Sequence, residues 1–277
     1  MSMIWRMVLG LPLALLVASG MAHAQGKLEA HYSASLAGIP IGKGSWVIDI
    51  GEGHYTAAAS GATSGLIKLF VGGSGTGAAQ GTMAGGKSVA SNYSATIKAG
   101  KHKDEVRITV AAGNIKEFKL DPPQDPDPKR IPVTDAHRHG VMDPMTASLV
   151  VMPGTGDMNV PQACERTLAV FDGKMRYDLK LAYKRTEDVK AEKGYSGPAM
   201  VCSVKFAPVS GFIPSRAAIK YLTKSDDIEV WLAPIAGTRV MVPFRAQVET
   251  PFGLAMVQAV RFVSVPSGPQ AKAGKTH

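Results

Sequence analysis

The chain has 277 residues, 31 of them Lys or Arg and 22 Asp or Glu, for a formal charge of +9, with 45% hydrophobic residues and only two cysteines. That apolar content supports a folded core and excludes a mainly disordered chain. The positive balance favours anionic partners such as lipid phosphates, or is a plain solvated basic face; without aromatic residues among the bases it does not suit stacked nucleic-acid strands.

Residues 1–24 read as a secretory signal peptide. A short basic start at Arg6 precedes an apolar run over 7–18, and Ala22 and Ala24 supply small side chains before a cut between Ala24 and Gln25. An uncleaved anchor is the competing reading, but the run is short of the roughly 20 apolar residues that span a bilayer. Gln25 stands where a lipoprotein would carry cysteine. No later stretch is long and apolar enough to span as a helix; 254–265 is broken by Gln258 and Arg261. The expected location is the periplasm.

Polar/apolar alternation then dominates. Residues 28–36 form a strand, 38–42 a turn, 44–50 a strand, 51–53 a turn and 54–59 a strand, a meander with turns about every ten residues. Residues 64–71 read as a short helix or a lip against the sheet. The glycine-rich run 72–86 lacks the Gly-Lys-Ser/Thr ending of a phosphate cradle and the βαβ setting of a dinucleotide fold, so it is expected to be a flexible loop. Strands follow at 91–98, 105–111 and 115–120. The proline-dense stretch 121–132 cannot form a regular element and reads as an exposed connection.

Asp135, His137 and His139 would project from one face of a strand, with Asp143 nearby, and two imidazoles and a carboxylate suit zinc. His137 and His139 are the metal candidates; the neighbouring prolines favour a solvated loop instead, and no metal or cofactor is assigned. Asp143-Pro144 predicts a helix N-cap followed by proline at the first helical position, with a helix over 143–152 presenting Met145, Leu149 and Met152 on one face.

Cys164 and Cys202 are expected to pair in an oxidising compartment, stabilising by roughly 4 kcal/mol in the chain-entropy model. They lack the Cys-x-x-Cys spacing of a redox pair. Strands are predicted at 166–171, 175–187, 199–208, 219–223, 227–233, 239–250 and 253–265, the first two joined by an Asp172-Gly173 turn. Residues 267–277 read as a disordered tail. No Gly-x-Ser-x-Gly elbow is present and no catalytic residue is assigned. Trp46 and Trp231, with Tyr32, Tyr177, Tyr183 and Phe206, sit in alternating strands. Core burial is the default for such side chains; a curved sheet offers some of them, with Trp46, Trp231 and Tyr177 singled out, as the lining of a cleft.

Four pieces, in order, resemble a family of exported bacterial proteins, domain of unknown function 3108. They are Tyr32 with the Gly38-Ile-Pro-Ile-Gly42-Lys43 turn, Asp143-Pro-Met-Thr-Ala147, Phe171-Asp-Gly-Lys-Met-Arg-Tyr177, and Ile228-Glu-Val-Trp-Leu-Ala233 followed by Val242-Pro-Phe244. Met145-Thr146 stands where the family has Leu-Ser, a conservative departure. The resemblance implies strongly curved or spiral sheets in the periplasm, a link to envelope maintenance, and no known active site. The expected architecture is therefore all-β: a strongly curved or spiral antiparallel sheet, open and barrel-like, with one or two short helices, in a single β domain over 25–266. The expected role is non-catalytic binding or scaffolding in the cell envelope, with a lipid or envelope proteins as partners. The alternative is a periplasmic metal-dependent hydrolase.

Overall fold

The computed structural model describes residues 25–65, 72–152 and 154–267. The expected signal peptide and its cut after Ala24, most of the 64–71 segment and the 268–277 tail lie outside these residues.

Alternation of apolar and polar side chains gives each strand one face to bury, and the chain answers with one large sheet. The first half is a meander of β1 (Gly26–Leu36), β2 (Ile39–Ile50), β3 (His54–Thr63), β4 (Gly73–Ala84), β5 (Lys87–Ala99), β6 (His102–Ala111) and β7 (Asn114–Asp121). After a crossing stretch containing α1 (Pro144–Ala147) and β8 (Val150–Val151) come β9 (Arg166–Phe171), β10 (Arg176–Lys190), β11 (Lys193–Gly194) and β12 (Ser196–Ser210). Then follow α2 (Ala217–Lys224), β13 (Glu229–Pro234), β14 (Val240–Thr250) and β15 (Gly253–Pro266). The order across the sheet is β7-β6-β5-β4-β3-β2-β1-β15-β14-β13-β12-β10-β9, with β8 on β14 and β11 on β15. The pairing of β1 with β15, from Gly26 opposite Pro266 to Leu36 opposite Ala255, joins the two halves. All the strand pairs are antiparallel except β11–β15.

The sheet curls but does not close. Its edge strands β7 and β9 do not pair; residues 141–142 lie between them. The Val141 amide donates to the Gly113 carbonyl (2.8 Å), Met142 to Ala169 (3.0 Å) and Phe171 to Met142 (2.9 Å). Phe118 and Phe171 meet edge to face across the seam, with centroids 5.7 Å apart, and Lys174 pairs with Asp104 at 2.6 Å. The result is the open, barrel-like all-β architecture expected, with two short helices.

Three buried clusters hold it. The largest joins Leu28, Trp46, Ile48 and Tyr55 of the first half to Trp231, Phe244 and Phe262 of the second. A second gathers Val150, Met152, Leu232 and Met241 around the Cys164–Cys202 disulfide, and a third packs Ile108 and Val110 on Phe171 at the seam. In β13, Trp231 enters the first cluster and its neighbour Leu232 the second, so this part of the sheet is buried on both faces.

Three sequence expectations are corrected. The 72–86 run is largely strand β4, not a loop. Two of its alternate glycines sit where neighbours crowd a side chain: a Cβ on Gly81 would lie 2.0 Å from the Val89 carbonyl, and one on Gly77 3.2 Å from Met145 Sδ. Residues 219–223 are helical, within α2. Ile219, Tyr221 and Thr223 fit period two, but five residues cannot separate that period from 3.6, and Ala217, Ala218, Leu222 and Lys224 favour helix. The helix over 143–152 stops at Ala147; β-branched Val150 and Val151 then extend as β8, placing Leu149 in one buried cluster and Val150 in another. Asp135–Arg138, favoured as a solvated loop, is an exposed 3₁₀ turn, so the strand alternation that would align Asp135, His137 and His139 for a metal is absent.

Candidate ligand-binding site

The inside of the curled sheet is organised by the Asp143-Pro-Met-Thr segment. Asp143 Oδ1 accepts the amides of Met145 and Thr146, each at 2.9 Å, which caps α1, and Pro144 occupies the next position, where no amide is needed. Thr146 Oγ1 donates to Asp143 Oδ2, and the Tyr55 hydroxyl lies 2.5 Å from Thr146 Oγ1. Ser88 donates to the Leu149 carbonyl at 3.2 Å. These bonds fasten the segment to β3 and β5. Asp143 is wholly buried; desolvation pushes its carboxyl above the ordinary range, with the Thr146 and Met145 hydrogen bonds acting against that rise.

Beside this segment the sheet wall is nearly bare. Gly44 of β2, Gly61 of β3 and Gly75 of β4 stand opposite one another in register. All three lie on the inward face, continuing the series of Trp46 on β2 and of Tyr55, Ala57 and Ala59 on β3. Gly44 forms part of an apolar groove of about 540 Å³, walled also by Tyr32, Ala34, Ile41, Trp46, Ala59, Pro243 and Val257, and Gly61 and Gly75, with Gly44, line a neighbouring hollow that shares Tyr32, Lys43, Ser45, Ser60 and Ala62 with the groove. A second cavity of about 250 Å³ lies between α1 and strands β9, β10, β12 and β13, lined by Pro144, Leu168, Tyr177, Leu179, Val230 and Leu232 among others. The two share Ser148 and Pro243. The Tyr32 hydroxyl donates to the Pro243 carbonyl (2.8 Å) and Ser148 to the Pro144 carbonyl (3.0 Å), so both polar groups at this junction are satisfied within the protein. Their volumes together fall in the roughly 300–1,000 Å³ range of small-molecule sites.

The family model described as "Protein of unknown function (DUF3108)" matches residues 29–260. The chain belongs to the DUF3108 family. No curated protein matches it. Among solved structures, the DUF3108 chain is similar to a beta-barrel-like protein of domain of unknown function DUF1849 from Brucella abortus, at 11% identity and a TM-score of 0.49, covering 87% of this chain and 98% of that one.

In the DUF3108 chain, two of the three aromatic residues singled out from sequence stand on these walls, Trp46 on the groove and Tyr177 on the cavity. Trp231 stands on neither: it is 1% exposed, with the guanidinium of Arg245 4.9 Å and that of Arg185 5.4 Å from its ring centroid. Cys164 and Cys202 are bonded, tying the stretch that follows β8 to β12. His137 and His139 do not converge. His137 Nδ1 accepts the Thr134 amide at 3.1 Å, while His139 contacts Asn114 Oδ1 at 3.0 Å and Asp135 Oδ2 at 3.3 Å on the exposed surface. Among the described residues no three His, Cys, Asp or Glu side chains are grouped to hold a metal, and no helix is long and apolar enough to cross a membrane.

Tyr32, one of the aromatic residues read from the alternating strands, also lines the groove, whereas sequence reasoning missed Ser148 and Pro243 as site residues. These two come from distant segments, and only the fold brings them together. The Gly-x-Gly-x-Gly alternation of 73–77 was the available signal, since glycine repeating at period two marks a strand face kept empty.

Proposed function

We propose that this DUF3108 protein is exported to the periplasm and acts there by binding rather than catalysis, holding a hydrophobic ligand in the service of envelope maintenance. The observation that carries the reading is the apolar groove and cavity meeting at Ser148 and Pro243, beside a sheet wall that is glycine at 44, 61 and 75. Protein interiors are ordinarily filled to crystal-like density, so a wall stripped of side chains over three adjacent strands fits a space kept for an occupant. The signal-like N-terminus and the disulfide support export. Positive charge would draw the protein to anionic lipid surfaces. The most buried carboxylate, Asp143, is committed to capping α1, which favours binding over chemistry.

The test is expression with the native N-terminus in a bacterial host, recovery from the periplasmic fraction, and native mass spectrometry. An added mass that dissociates as a lipid, together with displacement of the dye 1-N-phenylnaphthylamine by long-chain amphiphiles, is the expected result. Retention in the cytoplasm, or an unliganded mass with no dye binding, would sink the reading.

A further inference from the structure

Three hydrophobic side chains stand out into solvent at one end of the sheet. Phe252 is 78% exposed, Ile39 64% and Ile97 59%, more than any other large apolar residue among those described. Scattered single exposures are ordinary, but strand register gathers these three. Ile39 follows the tight β1–β2 turn, in which Ala37 and Gly38 both take positive φ (49° and 79°). Phe252 sits in the β14–β15 turn between Thr250 and Gly253. The two turns touch, for the Ala37 amide donates to the Leu254 carbonyl at 2.9 Å. From β2 the same level runs through Gly42 opposite Thr63, Ala62 opposite Ser74 and Gly73 opposite Ala99. It ends at the β5–β6 turn, where Ile97 stands two residues before Ala99, about 15 Å from β2 at the usual strand spacing.

Bases surround the three. Lys43 on β2, and Lys98 and Lys101 at the β5–β6 turn, are exposed, and none has a carboxylate partner among the described residues. The Tyr221 hydroxyl donates to the Glu249 carbonyl (2.5 Å), which ties α2 to the end of β14 and adds the exposed Lys220 and Lys224. Of the acids flanking these residues, Glu105 is engaged by Lys103 and Arg107, and Asp226 by Lys205. That leaves Glu249, Asp227 and, two strands beyond β5, Asp121. The turns themselves suit an apolar medium. Pro40 and Pro251 carry no amide, the Ala37 amide is bonded as above, and the Phe252 amide donates to Thr250 Oγ1 (3.1 Å), which donates on to the Gly253 carbonyl (2.6 Å). Unpaired backbone groups are what keep most loops out of lipid; here these four positions either lack an amide or have it bonded.

We infer that this end of the sheet docks on a bilayer carrying anionic lipid, with Ile39, Ile97 and Phe252 entering the interfacial region and the lysines lying on the headgroup phosphates. A protein partner wants a contiguous apolar centre. Separate projections set among unpaired lysines fit a soft, anionic surface, where binding grows with apolar area buried and with charge. The inference goes beyond the ligand reading and does not depend on it. The groove wall begins at Ile41 and Gly42, close after Ile39, so docking brings that end of the groove to the lipid.

The test sediments the mature chain with sucrose-loaded vesicles of phosphatidylcholine alone, or mixed equally with phosphatidylglycerol, at about 0.1 M salt. Binding to the mixed vesicles should be stronger by roughly tenfold or more, since each lysine near an anionic surface is worth about fivefold. Ile39→Ser combined with Phe252→Ser changes only exposed side chains. It should leave the urea midpoint unchanged and weaken binding to the mixed vesicles by roughly tenfold or more. In a Phe252→Trp variant, emission corrected for the unmodified chain should shift to the blue and be shielded from acrylamide when mixed vesicles are added. Equal binding by the double serine variant and the unmodified protein, or Phe252→Trp emission that does not move in vesicle-bound protein, would place the lipid contact elsewhere and overturn the inference. Sedimentation with neither vesicle would also overturn it and leave these side chains to a protein partner. None of these readouts involves the groove, so the dye-binding test of the hydrophobic-ligand reading is decided separately.

Discussion

The Tyr55 hydroxyl on β3 lies 2.5 Å from the Thr146 hydroxyl on α1, across 91 residues of sequence, and Thr146 passes the bond on to the buried Asp143. With Asp143 ionised, Thr146 must donate to it, so Tyr55 donates to Thr146. The Asp143-Pro-Met-Thr146 segment thus gains a physical reading: it caps a one-turn helix and ties that helix to β3. Thr146→Val preserves shape and removes the relay, leaving one Asp143 oxygen and the Tyr55 hydroxyl buried without partners. The expected loss is about 1–3 kcal/mol, read from the urea midpoint, with Thr146→Ser close to wild type. Equal loss in Val and Ser would mean that the methyl group, not the hydroxyl, matters.

Asp143 also sets a pH dependence. Burial holds its folded-state pKa above the ordinary carboxylate value, so the native state binds more protons than the unfolded chain between the two values. Stability from this group is therefore fullest at acid pH and falls as pH rises through the window above about 4. Asp143→Asn removes the titration. The unfolding free energy of wild type minus that of the variant should decrease from pH 4 to pH 7. A difference independent of pH would show that Asp143 titrates as it does when unfolded.

The disulfide gives a third expectation. It closes a separation of 38 residues and lies wholly buried between the stretch after β8 and β12. Replacing both cysteines by alanine should cost roughly 4 kcal/mol if chain entropy dominates, and reductant should lower the melting temperature of the wild type only. A double variant melting within a degree of wild type would argue that the local packing of Met152, Met200 and Leu232 suffices.

How much of this could be read from the chain follows physical range. The Asp143-Pro144 cap, the Asp172-Gly173 turn and most strands are set by neighbours within a few residues, and the sequence announces them. The Cys164–Cys202 pair is long-range but has no alternative partner. Strand β4 was hidden because its glycines carry no hydrophobic signal; its pairing comes from β3 and β5, and its empty face matters only beside Met145 and Tyr55. The 219–223 segment shows the reverse failure, a period-two pattern on a helix too short to display its own. The junction of Ser148 and Pro243 was invisible, since neither residue type marks a site until the fold sets them side by side.

The glycine ladder yields the last prediction. Gly61 lies between Ala59 and Thr63 on the inward face of β3, and both of those residues line the groove. Its backbone is ordinary, and a Cβ there would meet only the Lys43 carbonyl at 3.5 Å and the Gly44 Cα at 4.0 Å, both van der Waals contacts. Valine therefore fits the strand and suits it better than glycine, but its methyl groups project into the hollow beside the groove, between the groove residues Ala59 and Thr63. Gly61→Val should leave the urea midpoint unchanged or raised, while binding of 1-N-phenylnaphthylamine weakens by about tenfold, the effect of roughly 1.4 kcal/mol of lost contact. Gly81→Val is the contrasting case, since its Cβ would strike the Val89 carbonyl at 2.0 Å and the Tyr55 ring at 2.8 Å; it should unfold the protein rather than merely block the groove. If glycine at 61 serves only sheet curvature, Gly61→Val will destabilise the fold as Gly81→Val does; if it serves to keep the wall bare, stability and dye affinity will separate. Unchanged dye affinity in a stable Gly61→Val protein would place the occupant elsewhere than over Gly44, Gly61 and Gly75.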